Sequence, residues 1–266
     1  MKYKIAKICI ILVLFTKCSN QNIKYTLYFD SDDILTGIYQ GDFIKSAQGQ
    51  TVESDSVLIY LNKDLFSSGK FNKGLKTGNW NYMINDKRFN INWDYGGIKG
   101  ESMFINFPIN WEFSKLEGFD IALNTTLVKN KYTNDYLTIR SFAIDSLEHL
   151  QFKLFYYQLF QDFESKYKII KINASYEFKN EDNLFYYQEV DAEIKSERVS
   201  MYTVAFEYES KYYVCNYSFT NDKDKLKNRI IFSDIIKSIR VDGKRCYNPL
   251  EKTKIVKKSG FFIERN

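Results

Sequence analysis

The chain is poor in the residues that most often carry enzyme chemistry. Its 266 residues include one histidine, His149, and four cysteines, so a Ser-His-Asp or Cys-His mechanism would have to run through His149. A histidine-rich zinc site is excluded by count, and Cys215 and Cys246 lack C-x-x-C spacing. The sequence also contains no G-x-G-x-x-G, P-loop or G-x-S-x-G motif. His149 lies beside Leu147 and Leu150, which favours a position at the boundary of a helix face.

Acidic residues give no clear site either. The run Asp30–Asp33 lacks the glycine and the distal glutamate of an EF-hand loop, which favours an exposed turn over a calcium site. Paired carboxylates of the glycoside-hydrolase kind converge in space and not in the chain, so they stay open as an alternative. We therefore expect no catalytic residue, no metal and no cofactor, and we predict that the protein is not an enzyme.

Long apolar runs are absent except near the N-terminus. Three lysines precede Ile8–Phe15, a run too short to cross a bilayer but suited to an export signal. Cys18 follows after Thr16 and Lys17, and the arrangement resembles the signal of bacterial lipoproteins. That resemblance implies removal of residues 1–17, acylation of Cys18 as a lipid anchor, and a place in the cell envelope facing the periplasm or the cell surface. Lys17 stands where that family has a small residue, so an ordinary secretory signal is the alternative.

Composition favours a folded, β-rich chain. Aromatic residues make up 17% of the sequence and there are two prolines, a mix that suits filled cores and strands. The net charge of +5 is misleading, because four of the 38 basic residues lie in the leader, and the others nearly balance the 33 acidic residues. Attraction of nucleic acid by overall charge is therefore not expected.

Two cysteines remain beyond the leader and the expected anchor. In an oxidising compartment Cys215 and Cys246 can form a disulfide. The alternative is a buried free thiol at Cys215 and an exposed one at Cys246. The sequence leaves both possibilities open.

Glycine content divides the chain. Most glycines lie within residues 28–100, between short strand-like runs, which predicts a β-meander. Residues 18–27 are expected to be a tether from the membrane, and residues 101–241 a second domain. Residues 242–266 are expected to form a basic C-terminal tail, either solvated or in contact with anionic lipid headgroups.

One hairpin is predicted within the meander. Gly74 provides a turn with positive φ, Gly78 starts the returning strand, and Phe71, Trp80 and Tyr82 are expected to stack across the two strands. The spacing of Gly69, Phe71, Gly74, Gly78, Trp80 and Tyr82 resembles the bacterial MORN-like repeat. That resemblance covers about 15 residues, and it implies a possible aromatic contact with protein or lipid. A plain hairpin with stacked aromatics is the alternative.

Residues 101–241 are predicted to be α+β, with an antiparallel sheet covered by two helices. A capping box at Asp145–Glu148 starts a helix that runs to Phe163, and a second helix is expected from Lys223 to Ile239, capped by Asp222 or Asp224. The expected strands are Met103–Pro108, Asp120–Thr126, Tyr136–Phe142, Tyr167–Phe178, Phe185–Ile194, Met201–Glu209 and Lys211–Phe219.

Several phrases of this segment resemble the PsbP-like (DcrB-like) α/β/α sandwich. They are Phe104–Trp111 with its Pro108 and Trp111, Leu137–Ile139, and Phe232–Ile239. The resemblance implies a fold used for binding and assembly that has no shared catalytic residues. A fold by itself does not identify a ligand.

These observations favour a non-catalytic, membrane-anchored envelope lipoprotein that binds a protein partner. The alternatives are an immunity-type protein, a small-ligand carrier with an aromatic-lined cavity between sheet and helix, and an envelope hydrolase. Close packing of Phe152, Phe155 and Phe163 against the sheet, with no void between them, would remove the carrier.

Overall fold

A computed structural model of the protein describes residues 23–97, 103–114, 117–125, 135–144, 151–194, 196–220 and 225–258. The predicted leader, Cys18, His149, the capping box at 145–148, the capping candidates Asp222 and Asp224, and residues 259–266 of the expected tail lie outside the described residues. The described part folds into two antiparallel sheets and two α-helices.

The first sheet is a meander that passes from one hairpin to the next. Its strands, in spatial order, are β1 (Ile23–Phe29), β2 (Ile34–Lys45), β3 (Thr51–Leu61), β4 (Asp64–Asn72), β5 (Leu75–Ile84), β6 (Lys87–Gly96), β7 (Met103–Pro108), β15 (Arg240–Val241) and β16 (Lys244–Arg245). Bulges in the pairings of β1 with β2, β2 with β3, β3 with β4 and β4 with β5 add local twist, which suits a curled sheet.

The second sheet is built from the C-terminal half of the chain. Its spatial order is β17, β11, β12, β13, β14, β10, β9, β8. These strands are β8 (Trp111–Phe113), β9 (Ile121–Thr125), β10 (Tyr136–Ala143), β11 (Lys168–Asn180), β12 (Asn183–Ile194), β13 (Glu197–Tyr208), β14 (Lys211–Phe219) and β17 (Thr253–Lys258). The helices are α1 (Phe152–Lys166) and α2 (Lys225–Ser238).

The expected fold class, a β-meander followed by an α+β domain whose sheet is covered by two helices, is wrong. Strand β7 pairs with β6, so that Trp93 lies opposite Pro108, and β15 pairs with β7. Residues from both sides of position 101 therefore share one sheet. An open strand edge offers unpaired N–H and C=O groups to any segment within reach, and β6 offers that edge to β7. The protein is mainly antiparallel strand, with a large curled sheet and a second sheet.

Helix α2 lies between the two sheets, which accounts for the burial of most of its residues. Its Phe232 ring packs 6.2 Å from the ring of Tyr217 in the second sheet. On the side of the first sheet, the Ser233 hydroxyl accepts a hydrogen bond from the backbone N–H of Phe29 at 2.9 Å, and Lys237 donates to two carbonyl groups of β1. Polar side chains on this helix satisfy backbone groups that burial would otherwise leave unpaired.

Helix α1 covers the other face of the second sheet. Tyr156 stacks on Tyr186 with ring centroids 5.2 Å apart, and Phe155 packs 4.9 Å from Tyr212. Side chains alternate between faces along a strand, so Tyr212 faces α1, whereas Tyr217 of the same strand faces α2. The described helix begins at Phe152 and ends at Lys166.

The predicted hairpin is formed by β4 and β5. Its two-residue turn contains Lys73 and Gly74, with φ of 51° and 76°, the combination that two-residue hairpin loops favour. The Phe71 ring lies 4.9 Å from that of Trp80, and Tyr82 lies 6.4 Å from Trp80. Membership of the MORN-like repeats stays a prediction.

The two ends of the described chain differ from expectation. Strand β1 begins at Ile23, inside the segment 18–27 expected to be a tether, because Tyr25 and Leu27 are buried in the core. The basic tail expected at 242–266 is wrong over its described part, where Tyr247 is fully buried and β17 pairs with β11. Lysines on β17 occupy an edge strand, where charge discourages further strand pairing.

Candidate functional site

The second sheet and helix α1 enclose a pocket, here called the α1 pocket. It has a volume of about 70 Å³, enough for a group of about five or six water-sized atoms. Its lining combines apolar side chains with the polar ends of three sheet residues: Tyr156, Leu159, Phe160, Phe163, Gln188, Val190, Met201, Thr203, Val214 and Asn216.

The α1 pocket forms because the side chains that the sheet presents to α1 become smaller from one end of the helix to the other. Beneath the N-terminal half of α1, Phe152 and Phe155 pack on Tyr186 and Tyr212 and fill the gap. Beneath its C-terminal half, the sheet presents shorter side chains such as Thr203 to the helix. Small side chains on one surface and large ones on the other leave a void unless the layers interdigitate.

A row of polar side chains crosses the sheet at this level. Strand pairing places Ser175 opposite Gln188, Gln188 opposite Thr203, Thr203 opposite Asn216, and Asn216 opposite Thr138. Directly opposite residues of antiparallel strands point to the same face, so five neighbouring strands each contribute one polar side chain. Within the row, the Thr203 hydroxyl donates to Asn216 Oδ1 at 2.8 Å.

Gln188 is the residue that marks the pocket as a binding site. It is 2% exposed, and its Oε1 accepts a hydrogen bond from the Tyr156 hydroxyl at 3.2 Å. Burial raises the pKa of Tyr156, so this hydroxyl stays protonated. Among the residues that the structure describes, the Gln188 Nε2 finds no hydrogen-bond partner. A buried unpaired amide is costly, so Gln188 offers a donor that a ligand's acceptor atom would satisfy.

The chemistry of the lining suits binding rather than reaction. No residue that lines the α1 pocket carries a formal charge near neutral pH, and an ionised group is costly to bury without a partner. The Thr203 hydroxyl donates its hydrogen bond to the Asn216 side-chain amide and not to a general base, so it is not activated as a nucleophile. The pocket therefore fits an uncharged group with an apolar body and one hydrogen-bond acceptor.

A second cluster, of buried charges, holds α2 to the first sheet. Lys76 Nζ donates to Asp234 Oδ2 at 2.7 Å and lies 4.0 Å from the Trp80 ring centroid, and Lys237 pairs with Asp234 Oδ1 at 2.7 Å. Burial lowers the pKa of Lys76 to about 8. Burial also raises the pKa of Asp234, but the Lys237 and Lys76 ammonium groups outweigh it and keep that pKa below its usual value. Lys76 and Asp234 are 5% and 3% exposed, so we assign the cluster a structural role.

The residues proposed from sequence lie elsewhere. Phe71, Trp80 and Tyr82 are buried in the first sheet, so they form a core and not an exposed contact. Cys215 and Cys246 are both free and buried, in contrast to the disulfide and to an exposed thiol at Cys246. Burial raises the pKa of both thiols.

The acidic run forms a turn. Asp30 Oδ1 accepts from Arg229 Nη1 at 2.6 Å, and Asp33 Oδ1 accepts from the backbone N–H of Ile34 at 2.8 Å. In the part of the chain that the structure describes, no group of three or more His, Cys, Asp or Glu side chains is arranged to hold a metal ion. No helix there combines the length and apolar character required to cross a bilayer.

Sequence reasoning named a cavity between helix and sheet as one alternative but did not find Gln188. Gln188 lies within a predicted strand, two residues from Tyr186 and two from Val190, so the three side chains share one face of that strand. A glutamine on an otherwise apolar strand face is the one signal that the sequence offers. Its neighbours in the polar row become visible only with the strand register.

Comparisons with known proteins concern the fold. No protein-family model matches the chain, and a search of curated proteins finds no match. The chain is similar to the solution structure of cyanobacterial PsbP (CyanoP) from Synechocystis, with 12% identity and a TM-score of 0.41 over 56% of this chain and 92% of that chain. It is also similar to a crystal structure from Bacteroides thetaiotaomicron, with 8% identity and a TM-score of 0.31 over 53% of this chain and 45% of that chain. Neither likeness assigns a family, a ligand or an activity to this chain, and membership of the PsbP-like sandwich stays a prediction.

Proposed function

We propose that this protein is a non-catalytic binding protein of the cell envelope that takes a small ligand into the α1 pocket. The observation that carries the proposal is the unpaired Nε2 of Gln188, buried at the wall of a pocket. Among the functions considered from sequence, the pocket favours the ligand carrier over the protein-binding module. Binding of a protein partner stays a prediction, and we assign no surface of the molecule to it.

The ligand's buried part is expected to resemble a small phenol or a similar ring with one oxygen. The pocket, at about 70 Å³, is smaller than the cavity of about 150 Å³ that holds benzene, so a ring enters it with one edge. Its aromatic walls favour offset or edge contacts with that edge, and the oxygen accepts from Gln188. p-Cresol meets these requirements and is uncharged near neutral pH, whereas toluene has the same shape without the acceptor.

Titration of the isotope-labelled protein with p-cresol and with toluene, followed by NMR, tests the proposal. We expect p-cresol to shift the signals of residues that line the α1 pocket and to bind more tightly than toluene. Gln188→Met is expected to weaken p-cresol binding about fivefold, the usual size of one hydrogen bond. Gln161→Met is the control for the same substitution at an exposed glutamine, because Gln161 lies on the solvent side of α1 and outside the pocket lining. Absence of shifts at the pocket with millimolar p-cresol would refute the proposal.

We also propose that the chain is exported and anchored through a lipid at Cys18, on the strength of the leader described above. Labelled palmitate supplied to producing cells is expected to appear in the protein, and Cys18→Ser is expected to abolish the label. A wild-type protein that carries no label, with residues 1–17 removed, would instead indicate an ordinary secretory signal.

A further inference from the structure

A second depression adjoins the α1 pocket on the side of β10, and is called here the β10 groove. Its volume is about 360 Å³. Leu159 and Phe163 line both the pocket and the groove, so these two side chains alone form a shared wall of helix residues between them. The pocket and the groove are therefore neighbouring spaces separated by this wall.

The charged residues of the groove are Arg140, Lys166 and Asp162. Arg140 lies on β10 directly opposite Val214, which lines the α1 pocket, so the two side chains are neighbours on one face. Lys166 is the last residue of α1, three residues beyond Phe163, where the helix dipole favours a cation. Cations therefore outnumber the single carboxylate in the groove.

Within the described part of the chain, the Arg140 guanidinium is held in place by aromatic rings and pairs with no carboxylate. Its central carbon lies 4.5 Å from the centroid of the Phe142 ring and 6.0 Å from that of Phe119, and these contacts restrict the side chain. Among the ion pairs found within the described residues, none joins Arg140 or Lys166 to a carboxylate. A planar guanidinium matches a carboxylate in a two-point contact.

We propose that the ligand is a small anionic amphiphile whose uncharged ring occupies the α1 pocket and whose carboxylate lies in the β10 groove against Arg140. This inference rests on the proposed function, because it takes the pocket to be the site of the apolar body. The uncharged lining of the α1 pocket requires that the buried ring of the ligand carry no charge. The solvent-open β10 groove, with Arg140, tolerates the ligand's carboxylate. Other anionic head groups with planar or tetrahedral oxygens share this chemistry.

The test compares acids with their neutral amides. The probes are 4-hydroxyphenylacetate and 3-(4-hydroxyphenyl)propionate, each paired with its primary amide, which keeps the ring and the phenolic oxygen but removes the charge. We expect at least one acid to bind about three- to tenfold more tightly than its amide at low salt. The preference is expected to shrink at high salt, because the groove is open to solvent.

Arg140→Gln is expected to remove the preference for the acid and to leave the affinity for the amide unchanged. Arg88→Gln is the matched control, since Arg88 is an exposed arginine of β6 in the first sheet. Equal binding of acid and amide, or a preference that survives Arg140→Gln, would overturn this inference while the pocket itself stands. Failure of p-cresol and of all four probes to bind would overturn the proposed function as well.

Discussion

The unpaired donor of Gln188 predicts that the free protein is less stable than it would be with an apolar pair in its place. The perturbation is the double variant Tyr156→Phe/Gln188→Met, which removes both partners of the 3.2 Å hydrogen bond and keeps the side-chain volumes similar. The lost hydrogen bond costs about 1 kcal/mol, and removal of the buried unpaired amide restores about 1–3 kcal/mol. We therefore expect a net gain of up to about 2 kcal/mol in the free energy of unfolding.

Chemical denaturation in the absence of ligand measures this gain, and a melting curve should show a rise of a few degrees. A second Tyr–Gln hydrogen bond provides the control. Both of its residues lie on α1, where the exposed Gln161 donates to the Tyr157 hydroxyl at 2.7 Å. Tyr157→Phe/Gln161→Met is expected to change stability by less than about 0.5 kcal/mol. A loss of more than about 1 kcal/mol in the Tyr156/Gln188 double variant would show that the Gln188 amide is satisfied in the free protein, and the reasoning would fail.

Three further predictions follow from the core. Burial lowers the pKa of Lys76 from 10.5 to about 8, so between these pH values the unfolded chain binds more protons than the folded one. The free energy of unfolding of the wild type, measured relative to Lys76→Met, should therefore rise with pH across that window. A difference that does not change with pH would argue against the lowered pKa. Cys215 and Cys246 should resist iodoacetamide in the native protein and both react in denaturant, whereas an intact disulfide would block both. Gly69→Ala places a methyl group against the Trp80 indole and should cost about 1–3 kcal/mol; unchanged denaturation would contradict that packing.

Local patterns predicted many elements well. The expected strand at Met103–Pro108 has the same bounds in the structure, and the strand expected at Lys211–Phe219 does too. The turn at Gly74 was predictable because positive φ is a property of the residue type and its neighbours. In each case the signal lies within about ten residues of the chain.

Pairing between distant strands was not predictable. Strand β7 has the pattern of a buried strand, and nothing in that pattern says whether its partner is β6 or a strand of the second sheet. The same holds for β17, whose lysines resemble a solvated tail until β11 provides a partner. The fold class was wrong because these choices depend on which edges lie within reach in the folded chain.

The candidate site depends on three-dimensional arrangement even more than the fold does. Gln188, Thr203 and Asn216 are ordinary polar residues in three separate strands, and only the register places them side by side. Arg140 acquires its position beside the α1 pocket in the same way, through its pairing with Val214.

The sequence by itself determined the β-rich character of the protein and the hairpin around Gly74, because each rests on the properties of residues close together in the chain. The export signal rests on local properties too, and it stays a prediction. Tertiary structure alone decided the sharing of strands between two sheets, the burial of the α2 charges and the pocket beneath α1. The physical reason is that strand register and layer packing join residues far apart in sequence, and a buried donor such as Gln188 Nε2 lacks a partner only once its neighbours are in place.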